Sequence, residues 1–136
     1  MIVDAKIALV IRTDLEPWKK LNVAAVLASG LVAGFPACLG EEYEDGSGTK
    51  YHPLISQPIL IYGSSAAQLS RALDRSIARK VKAAVYTEEM FSTTHDAANR
   101  AAVKVVAREE LRLVGIAFCA DRKLIDKIVD GLKFHT

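Results

Sequence analysis

The order of apolar and polar positions divides the chain into blocks of two kinds. Ile7 to Ile11 (IALVI) is an unbroken apolar run between Lys6 and Arg12. A short run of this kind with a charge at each end predicts a central strand buried on both faces. Thr13 to Pro17 (TDLEP) follows, with Thr13 and Glu16 at capping-box spacing and a proline suited to a first helical turn. A helix is expected from about Pro17 to Gly34. Its middle, VAAVLASGLVAG, is apolar almost all round, which predicts burial on more than one side. Ala24, Ala25, Ala28, Ser29, Gly30 and Ala33 are small enough to let a strand or a second helix approach closely.

Beyond Gly34 the pattern weakens. From Phe35 to Tyr51, glycines alternate with Glu41, Glu42, Glu44 and Asp45, and the segment reads as an acidic, mobile loop. Pro58 to Tyr62 (PILIY) reads as a second strand, stopped by Gly63-Ser64-Ser65, one of whose serines caps the next helix. That helix, about Ala66 to Arg79, sets Leu69, Leu73 and Ile77 on one face and Arg71, Arg75 and Arg79 on another. Lys82 to Thr87 reads as a third strand. His95 to Arg108 is alanine-rich and reads as helix, with Thr94 as cap, although Val103, Val105 and Val106 also suit a strand end. Arg112 to Cys119 reads as a fourth strand, and Asp121 caps a last helix with Leu124, Ile125, Ile128, Val129 and Leu132 facing the core. Alternation of this kind predicts a three-layer α-β-α domain with a mostly parallel, mixed four-stranded sheet.

The length of 136 residues suits one domain over 1–136 and allows a real core. A formal charge of +2 does not by itself call for nucleic acid. Cys38 and Cys119 lie far apart with no CxxC spacing, and two reduced thiols are expected. No glycine-rich dinucleotide fingerprint or phosphate-binding loop is present. His52 and His135 have no ligand-spaced partners, so neither a metal nor another cofactor is expected. With no apolar stretch long enough to span a bilayer and a charged start, the expectation is a cytoplasmic protein without a membrane partner.

The run from Lys6 to Leu15 (KIALVIRTDL), the lysine pair Lys19-Lys20 and Val23-Ala24-Ala25 resemble the opening of the class II peptidyl-tRNA hydrolases. Leu113 to Ala117 (LVGIA), followed by Asp121 and Leu124 to Ile128 (LIDKI), resembles that family's last strand and helix. The chain also resembles a bacterial family of unknown function, the domain-of-unknown-function family numbered two thousand. The resemblance implies the hydrolase-like fold and a homodimer. It places the hydrolases' functional helix lysine on Asn22, their glutamine on Val26 and their histidine on Ser29, and their aspartate near Glu88. Three polar positions have thus become Asn, Val and Ser, and an active peptidyl-tRNA hydrolase is not expected.

Ligands of α/β sheets sit at the carboxyl ends of the strands. Those ends carry Thr13 and Asp14, Gly63 to Ser65, and Thr87 to Glu89, with Lys19 and Lys20 in the adjoining helical turn. Lysines there oppose the helix dipole, which hints at a small anionic ligand. Asp14, Lys20, Glu88 and His95 are the candidate catalytic side chains, with Glu88 or His95 as base. Lys19, Asn22, Ser29 and Thr93 are the candidate ligand-binding ones. Three functions remain open: a ligand-binding or regulatory module, a small hydrolase or transferase with a re-formed site, and an RNA-binding protein using Arg71, Arg75, Arg79, Lys80 and Lys82.

Overall fold

The computed structural model describes residues 4–136. Strand β1 (Ala5–Arg12) lies at the centre of a five-stranded mixed sheet. Ile7, Leu9 and Ile11 leave one face and Ala8 and Val10 the other, all at most 2% exposed. The unbroken apolar run therefore does what its pattern predicts, since both faces of β1 must be dry.

Helix α1 (Pro17–Gly34) covers the first face through Val23, Leu27 and Leu31. Helices α2 (Ala66–Ala78) and α4 (Arg122–Ile128) cover the second through Leu69, Leu73, Ile125 and Ile128. Ser65 begins α2 with a reciprocal cap: its hydroxyl accepts from the Gln68 N–H at 3.2 Å, and its own N–H donates to Gln68 Oε1 at 2.9 Å. Asp121 caps α4 by accepting from the Lys123 N–H at 3.0 Å.

The sheet departs from the expected one in number and direction. Strand β4 (Ile59–Ser64) pairs parallel with β1, and among the described residues this is the one parallel pairing. β5 (Ala84–Thr87) and β6 (Leu113–Asp121) pair antiparallel, as do β6 and β1. A fifth strand, the two-residue β7 (Lys133–Phe134), joins the outer edge of β4. The order is β5-β6-β1-β4-β7. The reason lies between β5 and β6. Helix α3 (Asp96–Lys104) has no buried residue, so it has no face with which to cover the sheet and carry a crossover. The connection instead returns at the edge where it left, with the Glu88 N–H donating to the Arg112 carbonyl at 2.9 Å. Strands joined at one edge run antiparallel.

Smaller expectations also change. Glu16, not Thr13, stands at the cap of α1 and makes no side-chain cap bond; its carboxylate accepts from Trp18 Nε1 at 3.1 Å. His95 rather than Thr94 caps α3. Helix α1 is buried on one side, while Trp18, Leu21 and Val26 stay 46–73% exposed. The acidic segment contains a separate two-stranded hairpin, β2 (Tyr43–Glu44) with β3 (Lys50–Tyr51). Cys38 and Cys119 are free thiols, and burial pushes both up from the ordinary thiol range.

Gly115 in β6 marks the closest approach of α1 to the sheet. A Cβ there would lie 2.6 Å from Val23 Cγ1 and 3.0 Å from Leu27 Cδ1. Gly115→Ala is expected to destabilise the fold by about 1–3 kcal/mol in urea denaturation. Adding Val23→Ala should recover part of that loss, because it removes the nearer methyl group.

Candidate functional site

Strands β1, β4 and β5 point their carboxyl ends to one edge, and β6 begins there. The last residue of β1 is Arg12, whose side chain is 16% exposed and whose guanidinium organises this edge. Its Nε and Nη2 donate to Asp14 Oδ1 and Oδ2 at 3.0 and 2.8 Å, a bidentate pair. Its Nη1 donates to Glu88 Oε1 at 2.7 Å. Arg112, at the start of β6, meets the other oxygen of Glu88 at 3.3 Å and donates from Nε to Glu89 Oε1 at 3.0 Å. Charges alternate along the sequence Asp14, Arg12, Glu88, Arg112, Glu89, so Glu88 bridges two arginines.

This chain sets protonation. Hydrogen bonding from Arg12 is the largest influence on Asp14 and holds its carboxyl below the usual carboxylate range, with the charge of Lys20 adding to it. The Arg12 guanidinium is raised further above its already high value, first by Asp14. Glu89 is also held low, first by its own backbone N–H and, after a smaller opposing effect of burial, by Arg112. A carboxylate fixed in its charged form beside a guanidinium is a weak general base near neutral pH.

The other candidate residues occupy neighbouring positions. Lys20 is half-buried and, among the described residues, has no carboxylate within 4 Å. Lys19 sits 3.6 Å from Glu16, with its ammonium 5.0 Å from the Phe91 ring centroid and 5.6 Å from that of Trp18. Asn22 Oδ1 accepts from the Tyr86 hydroxyl at 3.0 Å, and burial pushes that phenol up. Ser29, further along α1, donates to the Val26 carbonyl at 2.5 Å. Thr93 donates to the Met90 carbonyl at 3.2 Å and contacts Asn99. His95 uses Nδ1 to accept from the Ala98 N–H at 3.2 Å, as a helix cap.

The structure thus joins Asp14 and Glu88 through Arg12 and brings Lys20 within electrostatic reach of Asp14. His95 belongs to the start of α3 and Ser29 to the far half of α1. Sequence reasoning passed over Arg12 and Arg112. The available signal was a charged residue closing each of two otherwise apolar runs. Ser64 and Thr87, which the sequence places at the carboxyl ends of their strands, are at most 3% exposed, and their hydroxyls have no hydrogen-bond partner among the described residues. Of five concavities, none is lined by Asp14, Lys20 or Glu88. Among the described residues no three His, Cys, Asp or Glu side chains gather to hold a metal ion, and no helix is long and apolar enough to cross a membrane.

These elements define a mixed α/β protein with an ion-paired carboxyl edge. The chain belongs to the DUF2000 family, a protein family of unknown function, which it matches over residues 5–136. It is also similar to a solved structure of a protein of unknown function from Agrobacterium tumefaciens strain C58. The identity is 44% and the TM-score 0.95, covering 99% of this chain and 100% of the other. No curated protein matches it.

Asp14 contributes to stability above its unfolded pKa of about 3.9, and that contribution is lost as pH falls through its lower folded value. Arg12→Met is expected to return the Asp14 carboxyl toward the ordinary range in a carboxyl-carbon NMR titration. Glu89 should stay low in the same variant, because its largest influence is its own backbone N–H.

Proposed function

We propose that the protein is a small-ligand-binding or regulatory module rather than an active peptidyl-tRNA hydrolase, and that its ligand is a small anion held at the carboxyl edge. The observation that carries this reading is the double engagement of Arg12 by Asp14 and Glu88. It uses the two carboxylates for architecture. Lys20, half-buried in the first turn of α1 with no acidic residue in that turn, is left as the available cation. Lys19, steadied by Trp18 and Phe91, flanks it. Asn22 on the next turn is tied to Tyr86, and Val26 presents a methyl surface where the hydrolases carry an amide.

Calorimetric titration with small phosphates and carboxylates should give binding that Lys20→Ala weakens roughly tenfold, the effect of about 1.4 kcal/mol. Hydrolysis of peptidyl-tRNA or of aminoacyl esters should stay at background. Turnover that disappears in Glu88→Ala would overturn the proposal in favour of a small hydrolase or transferase built on Asp14, Lys20 and Glu88.

A second reading, RNA binding, has one observation in its favour. Arg75 and Arg79 of α2 face Lys123 and Lys127 of α4 across a cleft of about 530 Å³, so the arginine stripe is wider than one helix. Asp126 and Asp130 share that cleft, and Lys6 engages Asp126 at 2.6 Å. Affinity for single-stranded RNA that falls steeply with rising salt and is lost in Arg79→Glu with Lys127→Glu supports this reading; no binding at low salt rejects it.

A further inference from the structure

We infer that a second copy of this chain docks its acidic hairpin, β2–β3, on the open edge of β5. Two surfaces with no partner in the single chain carry the inference, and it is independent of the ligand reading at the other residues.

The first surface is a sheet edge. β5 is hydrogen-bonded on one side only, to β6, so the outward backbone groups of Ala84–Thr87 form an open template. Helix α1 presses close to this edge at Gly30, where an added Cβ would meet the Ala84 Cβ at 2.9 Å. On either side of that contact the surface opens into a hollow. One, of about 720 Å³, runs beside Lys80, Lys82 and the C-terminal turn of α1. The other, of about 430 Å³, lies between Val26 of α1, Val85 and Val103 of α3. Lys80, Lys82 and Lys104 on their rims have no carboxylate within 4 Å among the described residues. The trough is therefore apolar at its floor and bordered by unpaired backbone, and its rim is cationic on balance, with Lys80 and Lys82 outnumbering Asp121 in the first hollow and Arg100 and Lys104 outnumbering Asp96 in the second.

The second surface is the hairpin. All four of its strand residues are exposed, and it forms a sheet of its own, joined to the body by the Leu39–Ile55 bridge. A lone two-stranded hairpin is marginal in water, yet this one is pre-formed. Asp45 Oδ1 accepts from the N–H groups of Ser47 and Thr49 at 2.9 and 3.0 Å, and its Oδ2 accepts from the Tyr51 hydroxyl at 2.8 Å. The hairpin presents Tyr43 at 56% exposure just after Glu41 and Glu42, and Leu54, three residues beyond β3, is 61% exposed.

Charge decides the occupant. An acidic strand with an aromatic side chain complements an apolar trough rimmed by lysines, and both surfaces belong to the same chain. Strand addition supplies main-chain hydrogen bonds, while Tyr43 and Leu54 fill hollows that a β5–β5 pairing, whose Tyr86 is buried in the core, would leave open. A two-fold pair makes both contacts at once and closes the assembly.

The test is sedimentation velocity on the full chain, with circular dichroism to verify folding. The unaltered chain is expected to sediment at twice the monomer mass at low salt and to weaken as salt rises. Lys80→Glu with Lys82→Glu, or Glu41→Lys with Glu42→Lys, should each raise the dissociation constant at least about tenfold. Mixing the two variants should restore a dimer, because both contacts of the mixed pair, acidic hairpin on lysine rim and lysine-bearing hairpin on glutamate rim, are then matched in charge, and hydrogen exchange should slow at the β5 amides. A monomer at every concentration overturns the inference. So does a dimer indifferent to both reversals, which would place the interface elsewhere, or a failure of the mixed variants to associate.

Discussion

The double burial of β1 is the constraint from which the rest of the structure follows. A strand whose side chains are dry on both faces needs a hydrogen-bonded neighbour at each edge and a helix layer on each side. β4 and β6 supply the edges. α1 supplies one layer and α2 with α4 the other. Gly115 records how tightly this is drawn, because β6 must lie flat under Val23 and Leu27 for α1 to reach β1 at all.

The same strand places the second of its two flanking charges where the sheet ends. Arg12 leaves the dry interior at the edge where β5 finishes and β6 begins, and there it finds Asp14 and Glu88. An arginine side chain only 16% exposed needs paired partners for its charge, and its fork geometry matches the carboxylate of Asp14. The carboxyl edge, where α/β sheets commonly hold ligands, is thereby spent in part on its own ion pairs. This ties the fold to the proposed function: the acids hold the edge together, and the lysines of α1 are left to meet a ligand.

Away from that edge, the unsatisfied parts of the molecule are complementary to each other. The short β5 leaves sheet hydrogen-bonding capacity open beside lysines, and the segment between α1 and β4 projects a shaped acidic hairpin.

Much of this was written in local pattern. The bounds of α1, a serine cap for α2, the Asp121 cap of α4 and the buried run of β1 all depend on residues a few positions apart, so the sequence determined them alone, while the choice of Ser65 over Ser64 came from the structure. The loop reading of the acidic segment failed because glycine and charge density mark turns without revealing that Asp45 would tie one into a hairpin. The mostly parallel sheet failed because alternation of strands and helices says nothing about whether a helix has a sheet face to cover; α3 has none. Arg12, Glu88 and Arg112 are separated by 76 and 24 positions and make sense only once β1 and β5 finish where β6 begins. Secondary structure follows from neighbours in the chain, where backbone hydrogen bonds and side-chain periodicity act. Strand direction, the fifth strand, the ion-paired edge and the open β5 were decided by the tertiary structure, because they depend on which distant segments share an edge, and that is settled only when the whole core closes.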